Sequence, residues 1–79
     1  MATITKFRRG DREPKKQRTD VVGLYLVGYE GETANLLQID TFGSEERMSP
    51  GKQSQTIQLT PDTAFELYKI IGREFGFDK

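Results

Sequence analysis

From Val21 onward apolar and polar positions alternate at the spacing of strands, and after Thr60 they change to the spacing of a helix. The run VVGLYLVGYE, residues 21–30, is rich in Val, Leu and Tyr and predicts a first strand. Alternation sends Val22, Leu24 and Leu26 to one face and Val21, Tyr25, Val27 and Tyr29 to the other. Gly31, between Glu30 and Glu32, predicts a turn. A second strand follows from Ala34 to Phe42, with Leu37 and Ile39 on one face and Gln38, Asp40 and Phe42 opposite. A third, over residues 54–59, turns Ile57 and Leu59 inward and Ser54, Thr56 and Gln58 outward. Each strand offers an aliphatic face and a more polar one, the pattern of an antiparallel sheet covered on one side.

The cover is a C-terminal helix. Thr60 is a good N-cap, Pro61 suits the first helical position, and Asp62 favours the positive end of the dipole. Ala64, Leu67, Tyr68, Ile71 and Phe75 fall in one stripe, and Gly76 ends it. Phe65 and Ile70 widen the apolar arc beyond what one sheet needs, so Phe65, Tyr68 and Ile70 are expected at a dimer interface. The fold class expected is α+β: an antiparallel sheet of three to four strands, one C-terminal helix packed on one face, and a homodimer.

Length and composition narrow the chemistry. A chain of 79 residues holds one domain and buries only about 60% of its unfolded surface, which leaves a marginal core. Small domains gain support from disulfides, a metal or a partner subunit. With no Cys and no His, bridges and ordinary zinc or copper sites are closed, no cofactor is expected, and oligomerisation remains. No apolar run approaches the ~20 residues that span a bilayer, and residues 1–7 lack the apolar stretch of a secretory signal, so the expectation is a cytoplasmic protein without a membrane.

The net charge of zero hides an asymmetry. Residues 1–20 hold seven basic side chains against three acidic, a balance of +4, and the remainder holds five against nine, a balance of −4. Residues 6–20 contain one aromatic, no aliphatic residue and ten charges, too little apolar surface to offset ordering. Residues 1–20 are therefore expected as a disordered basic arm and residues 21–79 as the folded domain. Such an arm suits contact with nucleic acid, and equally a solvated tail.

Catalysis is not expected. The commonest general base and the best nucleophile are missing, and Glu45-Glu46 are adjacent charges in a loop. Gly51-Lys52 lacks the earlier glycine and the following helix of a phosphate loop, since position 46 is Glu and a strand comes next. Arg9-Gly10-Asp11 is a tripeptide that recurs by chance.

The open sheet face carries the binding hypothesis. Tyr25, Tyr29 and Phe42 would stack on unpaired bases at ~1–3 kcal/mol each. Gln38 and Gln58 would hydrogen-bond, with Asp40, Ser54 and Thr56 beside them, although Asp40 sits badly next to phosphate. Arg8, Arg9, Arg12, Lys15, Lys16, Arg18, Arg47 and Lys52 would meet phosphates of single-stranded DNA or RNA. The plain alternative is that tyrosine is favoured on half-exposed strands. Two other functions stay open: a protein-interaction module or small inhibitor acting through the loop 43–52 and the helix flank, and capture of a nucleotide-like anion at a dimer cleft lined by Arg47, Lys52 and Ser54. On the first reading, deleting residues 1–18 lowers affinity without unfolding the domain.

Pro50-Gly51-Lys52, then Ile57-Gln58-Leu59-Thr60 and Pro61-Asp62 opening an amphipathic helix, resembles the C-terminal half of the positive-cofactor-four transcriptional coactivators. Gly31 followed by a strand carrying Ile39-Asp40 is similar to their preceding strand. The likeness spans residues 22–75, its specific part residues 50–68. It implies a curved antiparallel sheet and one helix, dimerisation through helices, and binding of single-stranded DNA on the sheet by a regulator of transcription or DNA transactions. Departures are extra residues around 53–56, no early-helix Trp unless Phe65 replaces it, an acidic body, and three clear strands where the family has four. Residues 3–7 are the candidate for the fourth.

Overall fold

The computed structural model describes residues 1–18, 20–42 and 53–78, with the side chains of Gln53 and Ser54 outside the description. Strands β1 (Ala2–Ile4), β2 (Gly23–Glu30), β3 (Thr33–Phe42) and β4 (Gln53–Leu59) precede helix α1 (Pro61–Phe75). β2 and β3 are joined by Gly31-Glu32, with Glu30 paired to Thr33 across the turn. Gly31 takes φ 66°, a left-handed backbone that glycine enters without the clash a Cβ would meet.

The sheet is mixed, not purely antiparallel. Its order is β1-β4-β3-β2, and β1 runs parallel to β4, Ala2 facing Ile57 and Ile4 facing Leu59. The fourth strand thus comes from residues 2–4, overlapping the candidate at residues 3–7 and inside the segment otherwise expected as an arm. Three residues are too short for alternation to register, and a parallel partner leaves no hairpin signal, because parallel pairing is made over a long connection. Deleting residues 1–18 would therefore strip β4 of a neighbour.

Pairing register decides which side chains share a face. Tyr25 faces Ile39 and Val27 faces Leu37, while Leu24 faces Asp40 and Leu26 faces Gln38. Leu37 in turn faces Leu59, and Ile39 faces Ile57. One face therefore holds Tyr25, Val27, Leu37, Ile39, Ile57 and Leu59; the other holds Leu24, Leu26, Gln38, Asp40, Thr56 and Gln58. Each strand alternates as expected. The face of β2 that joins the aliphatic side is the one with Tyr25, because a strand's own alternation says nothing of its phase against its neighbour. Bulges interrupt the ladders between Gly28 and Tyr29 and between Thr41 and Phe42.

Helix α1 packs against β3 and β4. Its Ala64 shares a small cavity with Val27, Leu37 and Leu59, which seats it on their face. Thr60 and Thr63 form a reciprocal cap, Thr63 Oγ1 accepting from the Thr60 amide at 2.9 Å and Thr60 Oγ1 from the Thr63 amide at 3.5 Å. At the other end Gly76 is left-handed, φ 74°, and the Phe77 amide donates to the Gly72 carbonyl at 2.9 Å, closing the helix in a Schellman turn. Thr60→Ala should cost about 1 kcal/mol, read as a lower urea midpoint at unchanged slope.

Little apolar surface is interred. Among the described residues only Phe42 and Leu59 are buried hydrophobics. The accessible area is 7177 Å², where a folded monomer of this mass exposes about 4,900 Å². The radius of gyration, 14.6 Å, likewise exceeds the roughly 12 Å expected for this length. Among the described residues no helix is long and apolar enough to cross a membrane.

Candidate nucleic-acid interface

The expected platform of Tyr25, Tyr29 and Phe42 is not one surface. Phe42 is 8% exposed, so its ring is not offered to a ligand. Tyr25 (71% exposed) lies on the helix face, beyond the reach of α1, and Tyr29 (65% exposed) sits past the bulge near the hairpin. Both rings stand open on β2, on the strand that the basic arm runs into.

The amides expected beside them are on the opposite face and already engaged. Gln58 Nε2 donates to Gln38 Oε1 at 2.8 Å, Gln38 Nε2 to Asp40 Oδ1 at 3.1 Å, and Thr56 Oγ1 to the same oxygen at 2.9 Å. Thr3 Oγ1 extends this row onto β1 by donating to Gln58 Oε1 at 3.2 Å. The row crosses three strands because Thr3 faces Gln58, Gln58 faces Gln38, and Asp40 faces Thr56. Asp40 is 5% exposed, and a buried carboxylate persists only with donors such as these. Its unfavourable place beside phosphate is thereby resolved: it is an internal acceptor. Asp40→Ala leaves the Gln38 amide without that acceptor and should cost about 1–3 kcal/mol in urea unfolding, with oligonucleotide affinity unchanged where the protein is folded.

Arg8, Arg9, Arg12, Lys15, Lys16 and Arg18 are all exposed. Arg9 Nη1 meets Glu74 Oε2 at 3.0 Å, and Lys16 Nζ lies 3.7 Å from Asp20 Oδ1. These solvated pairs hold their cations loosely, at about 0–1 kcal/mol each. Among the described residues, Arg8, Arg12, Lys15 and Arg18 make no ion pair, which leaves their charge to a ligand. Arg47 and Lys52 lie outside the described residues, as does the loop 43–52.

Sequence reasoning missed a contact between arm and helix. Phe7, Arg8 and Arg9 pass along α1 and enclose with Leu67, Ile70 and Glu74 a groove of about 470 Å³. Arg73 Nε lies 3.7 Å from the same Glu74 oxygen that Arg9 holds, and Arg73 and Lys69 add helix cations to this rim. Phe7, one aromatic in a charged stretch, was the available signal; its partner on the helix was not readable from it.

Of the expected dimer residues, Phe65 and Tyr68 are exposed and stacked on each other at 6.1 Å, with Lys69 Nζ 4.8 Å from the centre of the Phe65 ring. Ile70 differs: it is half-buried and turned to the arm side with Phe7. Among the described residues no three acidic, His or Cys groups gather as metal ligands. A comparison with protein families, with curated proteins and with solved structures finds no match to this chain.

Proposed function

We propose that this is a small non-catalytic protein that binds single-stranded nucleic acid and acts as a regulator of transcription or DNA transactions. The observation that carries the reading is the exposure of Tyr25 and Tyr29 on β2, directly after an arm with seven exposed cations. Each open ring supplies a stacking surface for an unpaired base, and the arm supplies charge for the phosphates between them. Gln38, Gln58 and Phe42 take structural roles in this reading, in place of ligand contacts. The likeness of residues 50–68 to the positive-cofactor-four coactivators points the same way.

The test is fluorescence anisotropy with labelled single-stranded DNA and RNA at low and high salt. Tyr25→Ala should weaken binding by about 1–3 kcal/mol, roughly 5- to 150-fold. Absence of binding by the wild-type chain at low salt would end this assignment.

A protein-interaction module is the second reading, favoured by a separate observation. Phe65, Tyr68, Phe75 and Phe77 are all exposed along and just beyond α1. Contiguous apolar surface of this kind marks contact sites on proteins. A protein partner would be captured by this helix surface and released by Tyr68→Glu, with Tyr25→Ala having no effect.

A further inference from the structure

The two edges of the sheet are finished differently. One is β1, a strand of three residues, the short edge that discourages further pairing. The other is β2, eight residues long, with neither Lys, Arg nor Pro, and with Leu24, Tyr25, Leu26, Val27 and Tyr29 all exposed. Outside the helix and the sheet ladders, the described residues make three backbone hydrogen bonds, all at the ends of α1. The outer edge of β2 is therefore an unpaired row of donors and acceptors on an apolar strand, the arrangement that templates another strand.

We infer that the occupant of this edge is β2 of a second copy, paired antiparallel about a two-fold axis to give one continuous eight-stranded sheet. This inference is independent of the nucleic-acid reading.

The strand complements itself. A two-fold axis through the sheet returns each face to its own side, so facing residues must come from the same face and the axis falls beside a residue. With that residue Leu26, Leu26 meets its own copy, Tyr25 meets Val27 and Leu24 meets Gly28. All of these are apolar contacts of the kind that stabilise cross-strand pairs. Centring on Tyr25 would pair only residues 23–27 of the strand, and centring on Val27 would set Glu30 against Leu24. Both helices then lie on the same side of the joined sheet, with Tyr25 from each copy on the floor between them.

The chain contains no cysteine, so single-cysteine variants report cleanly. Leu26→Cys should oxidise to a covalent dimer, because facing residues of paired strands lie within disulfide reach. Phe65→Cys, on the exposed helix surface, should stay uncrosslinked. In light scattering at micromolar concentrations the wild type should have the mass of two chains. Leu26→Lys should have the mass of one, with an unchanged far-ultraviolet spectrum, since position 26 is half open to solvent in the single chain. A monomeric wild type, a dimer that persists in Leu26→Lys, or crosslinking through position 65 and not 26 would each overturn the inference. If Leu26→Lys fails to fold, the crosslinking result decides alone.

Discussion

With Arg12, Lys15, Lys16 and Arg18 changed together to serine, a single-stranded oligonucleotide should bind far more weakly at low salt and lose most of its salt dependence. Each phosphate neutralised on a single strand adds about 0.7 to the slope of log affinity against log salt, so the six arm cations assigned to phosphates, all but Lys6, give a slope near −4, and Arg8 and Arg9, the two of them left, give about −1.4. Between 50 and 200 mM salt the wild type should then lose roughly 300-fold in affinity and the variant roughly 7-fold. Substitution is the right perturbation because it leaves β1 in the sheet, and deletion of residues 1–18 does not. Anisotropy titrations at several salt concentrations read both quantities. A variant slope equal to the wild-type slope would place the phosphate contacts somewhere other than the arm.

The largest stability effect should come from Leu59→Ala. Leu59 is 2% exposed and sits where β4 hands over to the helix cap, in contact range of the cavity shared by Val27, Leu37 and Ala64. Truncating a buried leucine costs about 2–5 kcal/mol, transfer and cavity together. A domain of this length commands roughly 4–12 kcal/mol in all, so the variant should lose a large fraction of its stability, read as a much lower urea midpoint. Leu24→Ala, at a half-exposed position, should cost about half as much by the proportional loss of buried area. Urea denaturation of the two proteins makes the comparison. If the two variants lost equal stability, the core would not be centred on Leu59.

The helix was legible in detail because its signals are local. Thr60, Pro61 and Gly76 act on groups within a turn of themselves, and the structure starts and stops α1 at those places. The three long strands and the Gly31 turn were legible for the same reason: alternation and turn chemistry are properties of neighbouring residues. Phe42 shows where that reasoning ends. Alternation placed it with Gln38 and Asp40, but alternation gives a residue's face and not its depth of burial. The same holds for Gln38 and Gln58, whose amides looked available until the ladder brought them within 2.8 Å of each other.

Sequence by itself determined the number and kind of the long elements, the helix ends, the basic character of the arm and the absence of cysteine and histidine chemistry. Tertiary structure alone decided that residues 2–4 join the sheet in parallel, that Tyr25 shares a face with Ile39 and not with Gln38, and that Asp40 is an internal acceptor. The physical reason is one of range. Propensity, capping and alternation are set by bonds and contacts a few residues apart, whereas strand phase, edge identity and burial arise from pairings between distant segments that no local pattern encodes.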